Sequence, residues 1–215
     1  LLLILKNSKP NILVGLPYGY MTLDNMEKEQ VTFWRSQIFL CCPRLFKYFD
    51  RSTTYYNANV TRLYFGYKDK STSSDNFKKM MSIWYHRRVL LIEGEKSRMG
   101  VGNDLFEQVE SLERILCPYH HAFSRYEEIL AEALMHDKGK LILVSLGPAA
   151  KALAFELANQ NYQALDIGNL DIEYEWFRKG VKERIIIPGK YTSEVAGGRQ
   201  VQDSSYLDQV VARFT

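Results

Sequence analysis

Cysteine is scarce in this chain, and what there is does not pair. Cys41, Cys42 and Cys117 are the only three in 215 residues. Two are adjacent and none shows paired metal spacing, so neither a disulfide scaffold nor a zinc site is expected, and a reducing, cytoplasmic setting is. Long apolar runs are also missing. The opening Leu-Leu-Leu-Ile-Leu stretch is far short of the roughly 18 residues a membrane helix needs, so neither a span nor a signal sequence is read there. No excess of one charge stands out: 28 basic against 25 acidic residues give +3, too little to point to a nucleic-acid partner. Ser145 lacks the G-x-S-x-G setting of a serine hydrolase. No initiating Met is present either, and the pattern starts as if within a helix, so residues before Leu1 are expected in the native protein.

What is present suffices for a substantial core. With 46% hydrophobic residues, residues 1–215 are expected to form a single domain. Short aliphatic runs alternate with longer amphipathic ones. Strands are expected at 12–16, 61–65, 89–92, 114–117, 141–144, 164–165 and 184–187. Helices are expected at 27–49, interrupted by Pro43, and at 74–86, 103–109, 125–135, 149–159 and 205–214. Residues 67–75 and 189–203 read as loops. Continuous apolar strands with helices between them predict an α/β fold: a Rossmann-like, doubly wound, mostly parallel sheet with helices on both faces. In such a sheet, ligands sit outside the carboxyl ends of the strands, where strand order reverses.

Three strand ends carry polar residues that packing does not require. After 89–92 comes Glu93-Gly-Glu-Lys-Ser-Arg-Met-Gly-Val-Gly-Asn-Asp104. Gly100 and Gly102 let backbone amides approach a ligand, Lys96 and Arg98 offer charge to phosphates, and Asn103 or Asp104 can cap a helix or meet a sugar hydroxyl. The same stretch also reads as a long surface loop. It is not a dinucleotide fingerprint, because Leu105 stands where a third glycine belongs. After 141–144, Gly147 permits a tight turn and Pro148 suits a first helical position, leaving free amides for a diphosphate, although any strand-to-helix turn can use Gly-Pro.

The third strand end is Asp166-Ile-Gly-Asn-Leu-Asp-Ile-Glu-Tyr-Glu-Trp176, with four carboxylates. In extended backbone Asp171 and Glu173 project to one side and could share one Mg²⁺ or Mn²⁺; on a helix they diverge by roughly 200°. The alternative is a helix that opens here, with Asp171 as N-cap and the acids facing the positive dipole end. His120 and His121 could move protons but read equally as solvated loop residues.

Taken together, 93–106, Leu146-Gly-Pro148 and Asp166-Ile-Gly-Asn-Leu-Asp-Ile-Glu-Tyr-Glu-Trp-Phe177 resemble the GT-D class of bacterial glycosyltransferases. The match runs in order from Ile12-Leu-Val-Gly-Leu-Pro17 to Tyr206-Leu-Asp-Gln-Val-Val-Ala212. The resemblance implies a transferase that moves a hexose, glucose, from a UDP-sugar to a glycan on a serine-rich repeat adhesin. It places the family's D-x-E metal motif, for Mn²⁺ or Mg²⁺, on Asp171 and Glu173. The Gly-rich loop, Gly147-Pro148 and Asp166 would hold the nucleotide, and Glu93 and Glu95 are candidates by position for activating the acceptor. Three departures stand out: no R-F-G-D-G-E-like segment, Asn169 where the family commonly has His, and Ala149 where it has Thr. A homo-oligomer is compatible with the sequence. The competing readings are a nucleotide-dependent oxidoreductase and an inactive module that binds a glycan or partner.

Overall fold

The computed structural model describes residues 2–7, 9–50, 52–198 and 206–214. In chain order the first elements are helix α1 (Leu2–Leu5), strand β1 (Gly15–Leu16), helix α2 (Lys28–Leu45), strand β2 (Tyr56–Asn57) and helix α3 (Ser73–Met81). There follow β3 (Arg88–Gly94), β4 (Ser111–Cys117), α4 (Tyr126–Met135), β5 (Leu141–Ser145), α5 (Pro148–Asn159), β6 (Gln163–Asp166), α6 (Leu170–Lys179) and β7 (Val210–Arg213).

Five strands form one sheet in the order β6-β5-β3-β4-β7, every neighbouring pair parallel. The sheet is covered on both faces, as the continuous apolar strands predict. Alternation along β3 sends Val89 and Leu91 into a core with α3 and α6, and Leu90 and Ile92 into a second core with α4 and α5. All four are fully buried, each contributing about 1.5–3 kcal/mol of transfer free energy.

The topology fixes where a ligand can enter. β3 connects to β4 on one side, whereas β5 connects through α5 to β6 on the other. Strand order therefore reverses between β3 and β5, and the crevice of such a sheet lies outside their carboxyl ends, where Glu93 is in register with Ser145.

Several expectations are corrected. Residues 103–109 form turns, not a helix, because Arg98, Gly100 and Gly102 have positive φ and Asn103 Oδ1 accepts from the Leu105 amide in a local turn. Residues 61–65 are not a strand: the Arg62 amide closes a turn on the Asn59 carbonyl, and those of Tyr64 and Phe65 go to the Glu173 carboxylate. The strand at 12–16 shrinks to two residues that pair with β2. Residues 184–187 cross α6 as a strap rather than joining the sheet: Trp176 Nε1 donates to the Ile185 carbonyl. α2 runs through Pro43 to Leu45. At the end of the chain the expected helix is instead a short 3₁₀ turn (Leu207–Gln209) and strand β7. There the burial alternation of Val210, Val211, Ala212 and Arg213 has the strand period of two. Positions 199–205 of the expected loop and helix lie outside the described residues.

Candidate active site

The β3–β4 connection is built on a buried ion pair. Glu93 and Arg114, both essentially inaccessible to solvent, meet through Arg114 Nη1, and Arg114 Nη2 donates to the Met99 carbonyl at 2.9 Å. The Met99 amide donates to the other Glu93 oxygen at 2.8 Å. Burial raises the Glu93 carboxyl, with the Arg114 guanidinium opposing it. Glu93 is thus a brace for the Gly-rich loop rather than a base open to an acceptor. Arg98 is also buried and donates to the Gly189 carbonyl at 2.7 Å. Glu95 and Lys96 are half-buried. Lys96 Nζ lies 3.6 Å over the Tyr119 ring, so a cation and an aromatic face stand together beyond the carboxyl ends of β3 and β4. Gly102 is exposed.

The acidic segment is helical. Gly168, at φ +49, turns the chain out of β6, and Asn169 precedes the helix with non-helical backbone. Asp171 and Glu173 fall in its first turn, Arg178 and Lys179 in its last, matching the dipole. Gly180 at φ +61 stops it in the left-handed conformation. The helix reading therefore holds, with Asp171 as second helical residue rather than N-cap, and the extended reading is corrected. Residues 170–176 are all buried, so each acid must find its partners inside.

They find different ones. Asp171 Oδ1 accepts from the Gly100 amide at 3.0 Å and from Asn103 Nδ2 at 2.7 Å. Lys190 Nζ, itself buried, reaches both Asp171 oxygens at 2.8 and 2.7 Å. The same ammonium lies 3.4 Å from Glu175, to which Asn103 also donates at 2.6 Å. On the far side of the helix, Glu173 Oε2 accepts from the amides of Tyr64 and Phe65 at 3.1 and 2.8 Å, and Oε1 lies 3.5 Å from Arg62. Burial raises both carboxyls: the Lys190 ammonium is the largest opposing influence at Asp171, and the Phe65 amide at Glu173.

A shared divalent cation does not fit these donors. The two carboxylates point to opposite sides of α6, and the place a metal would take beside Asp171 is held by the Lys190 ammonium. Among the described residues, no cluster of three His, Cys, Asp or Glu has a metal-binding arrangement. No chemical step is therefore routed through a cation at this pair.

The remaining predicted residues flank the crevice. Gly147, with φ 54 and ψ −135, opens α5 with Pro148 as its first residue, and both are exposed. A Cβ on Gly147 would meet nothing, so the space above the first turn of α5 is open. Asp166 sits at the end of β6, accepting from the Gly168 amide at 3.0 Å, with Lys151 3.4 Å away. Asp104 accepts from the Tyr174 hydroxyl at 3.0 Å, away from the Asp171 oxygens.

Sequence reasoning missed Lys190, Arg114 and Arg62. Arg114 had a signal, being a charge inside a strand whose later residues are all apolar. Lys190 and Arg62 had none, since the first contacts Asp171 across a loop and the second reaches a carboxylate 111 positions away.

The fold defines a Rossmann-like α/β protein whose strand order reverses between β3 and β5. Residues 1–195 match the family model described as the glycosyltransferase GT-D fold, and the chain belongs to that family. It is 36% identical over 212 residues to glycosyltransferase GlyD of Streptococcus pneumoniae serotype 4 (strain ATCC BAA-334 / TIGR4), covering 97% of this chain and 26% of that protein. It is 34% identical to the probable glycosyl transferase Gly of Streptococcus gordonii, covering 96% of this chain and 31% of that protein. The chain thus spans between a quarter and a third of these relatives. A solved structure of domain of unknown function 1792, described as a distinct glycosyltransferase fold, superposes with a TM-score of 0.92 at 34% identity, covering 98% of this chain and 77% of that one. A glycosyltransferase of the same domain type from Streptococcus sanguinis gives 0.93 at 32% identity, with coverages of 99% and 81%. Among the described residues no helix is long and apolar enough to cross a membrane.

Proposed function

We propose that residues 1–215 act as one glycosyltransferase domain that moves a hexose, glucose, from a UDP-sugar to a glycan on a serine-rich repeat glycoprotein. The observation that carries the reading is the juxtaposition of two phosphate-type elements at the reversal of strand order. β3, which leads into the glycine-rich loop, pairs with β5, which leads into the open, Gly147-initiated first turn of α5. Free amides at a helix start favour an anionic group, and the positive dipole end adds to this.

In the reaction, the acceptor hydroxyl oxygen bonds to the anomeric carbon as the bond from that carbon to the diphosphate oxygen breaks. The electron pair leaves with UDP, and the acceptor proton passes to a base. Amides of the α5 first turn offset the charge that develops on the leaving diphosphate, and Lys96 supplies a cation. Glu95, at the mouth of β3, is the proposed base, since Glu93 is committed to Arg114. Asp171 and Lys190 act one step back, pinning Gly100 and Asn103 so that the loop keeps its shape. Asp166 holds the Gly168 turn.

Calorimetry and turnover with a panel of UDP-sugars, each with and without Mn²⁺, test the reading. UDP-glucose is expected to bind and release UDP, and Gly147→Val to weaken UDP binding tenfold or more by blocking the α5 start. Preference for NAD(P) over every UDP-sugar would instead support an oxidoreductase. Acceptor binding without donor turnover would support an inactive module.

A further inference from the structure

The Glu173 side of α6 lines a cavity of about 400 Å³. Its size falls among small-ligand sites, and its walls come from α2, from residues 59–67 and from the strap after α6. Aromatic faces and hydrogen-bonding groups alternate around it. Phe33, Trp34 and Tyr67 supply the faces, and Gln30, Arg62 and Glu194 the polar groups. Such a mixture suits a pyranose, which has an apolar C–H face and a rim of hydroxyls.

Three further observations narrow the ligand. Trp34 is a fixed platform: its indole lies so close over Gly19 that a Cβ there would collide with it, and Tyr20 and Phe33 pack edge-on at 5.4 and 5.2 Å. Glu194 Oε2 is buried and has no hydrogen-bond partner among the described residues, although Oε1 pairs with Arg62 at 2.5 Å. A hydroxyl is the donor that such an oxygen lacks. The lining also holds three carboxylates, Glu29, Glu173 and Glu194, against two guanidiniums, Arg62 and Arg184. That balance disfavours a diphosphate or a sialylated sugar and accepts a neutral one.

A chain of contacts runs from beside Arg62 to the carboxyl end of β5. Thr61 lies against Gly168, with its Oγ1 3.4 Å from where a Cβ would stand. Ser145, at the carboxyl end of β5, donates to the Gly168 carbonyl at 2.7 Å.

We propose that this cavity is the acceptor subsite, taking the neutral pyranose at the non-reducing end of the acceptor glycan. Trp34 stacks on the ring, and Gln30, Arg62 and Glu194 read its hydroxyls. The assignment rests on the transferase reading above and deepens it.

Tryptophan fluorescence gives a test independent of turnover. Trp84 and Trp176 are fully buried in the core, so Trp34 is the indole a ligand can reach. Cellobiose, lactose and diacetylchitobiose are titrated into the protein, with sialyllactose and UDP alongside. At least one neutral disaccharide is expected to change the emission saturably, while sialyllactose and UDP do not. By calorimetry, Trp34→Leu and Gln30→Ala should each lose tenfold or more in affinity for that disaccharide with UDP binding within twofold of wild type. Gln30→Ala, at the cavity wall, serves if Trp34→Leu unfolds. In turnover the same variants should raise the acceptor KM and leave the UDP-sugar KM alone. The assignment is overturned if no neutral saccharide perturbs Trp34, if UDP does so instead, or if both variants bind saccharide as wild type does. Saccharide binding at Trp34 without any UDP-sugar turnover would leave the subsite standing and remove the transferase reading.

Discussion

Replacing Lys190 by Met is the sharpest probe of the centre beside α6. The side chain keeps its length and loses only its ammonium, which in the native protein touches both Asp171 oxygens at 2.7 and 2.8 Å and lies 3.4 Å from Glu175. Without it two buried carboxylates, four positions apart on one helix, keep the Asn103 amide and the Gly100 N–H, and the nearest cations left, Arg178 and Lys179, lie 4.0 Å from Glu175. Removing one partner of a buried ion pair costs about 3–5 kcal/mol. At about 2–4 °C per kcal/mol for a chain of this size, Tm should fall by roughly 6–20 °C. Adding Asp171→Asn removes the uncompensated charge and should recover more than half of the loss, giving a coupling of about 2 kcal/mol or more in a double-mutant cycle. Urea unfolding of the four proteins supplies the energies. The cycle also tests the cation reading: any shift that Mn²⁺ causes in the Tm of the wild type should persist in Asp171→Asn. A Lys190→Met protein within 1 kcal/mol of wild type, or a Mn²⁺ shift that vanishes with Asp171→Asn, would refute the reasoning.

Gly100 and Gly102 form a matched pair of tests. Both have positive φ, so alanine strains either by about 1–2 kcal/mol, but at Gly100 the added Cβ also collides with the buried Phe106 ring, whereas at Gly102 it meets nothing. Thermal melting should rank Gly100→Ala well below Gly102→Ala, and equal melting would refute the contact. Cys117 is fully buried and its thiol is pushed up to about 12 from 9.0, chiefly by burial. At pH 8 its thiolate fraction is only about 10⁻⁴. A thiol reagent should therefore spare Cys117 until the protein unfolds, while the partly exposed Cys41 reacts first. Burial raises Glu173 above its ordinary 4.5, so the folded state holds that proton more tightly than the unfolded one. The associated stability is complete below pH 4.5 and is lost as the pH rises through the raised value. Glu173→Gln should accordingly match wild type near pH 4 and gain on it toward pH 7 in denaturant titrations. A relative stability that falls with pH would contradict this.

Local pattern carried the sheet and missed the contacts. The runs at 89–92 and 141–144 are legible because short apolar runs bounded by turn residues suit strands covered on both faces, and these strands set where the order reverses. The turn at Gly147-Pro148 is legible because its residues dictate their own backbone. The β3–β4 connection was not, since its polar, capping-type residues also suit a helix start. What rejects the helix is the Glu93–Arg114 brace, formed across 21 positions. The C-terminal strand was hidden by a short amphipathic pattern compatible with either period, and only the open edge of β4 decides it. Arg62 and Tyr64 carry no signal of their own, because their value lies in meeting α6 more than 100 positions later.

The three acids after β6 show how one change of backbone period redistributes chemistry. In extended chain, positions 171, 173 and 175 share a side and form a single anionic row. On a helix, 171 and 175 are four apart and share a face, while 173 lies across it. The side chains obey this: Asn103 and Lys190 each contact both Asp171 and Glu175, and neither is a partner of Glu173, which turns to the amides of Tyr64 and Phe65. α6 is thus a partition. One face fixes the Gly-rich loop through Gly100 and Asn103, and the other forms a wall of the cavity that contains Trp34 and Arg62. The Gly-rich loop and the cavity, proposed as donor and acceptor sites and held by the same two turns of helix, cannot shift independently. A substitution that rotates α6 must therefore disturb both, whereas one at Asp171 or Glu173 alone should disturb only its own side.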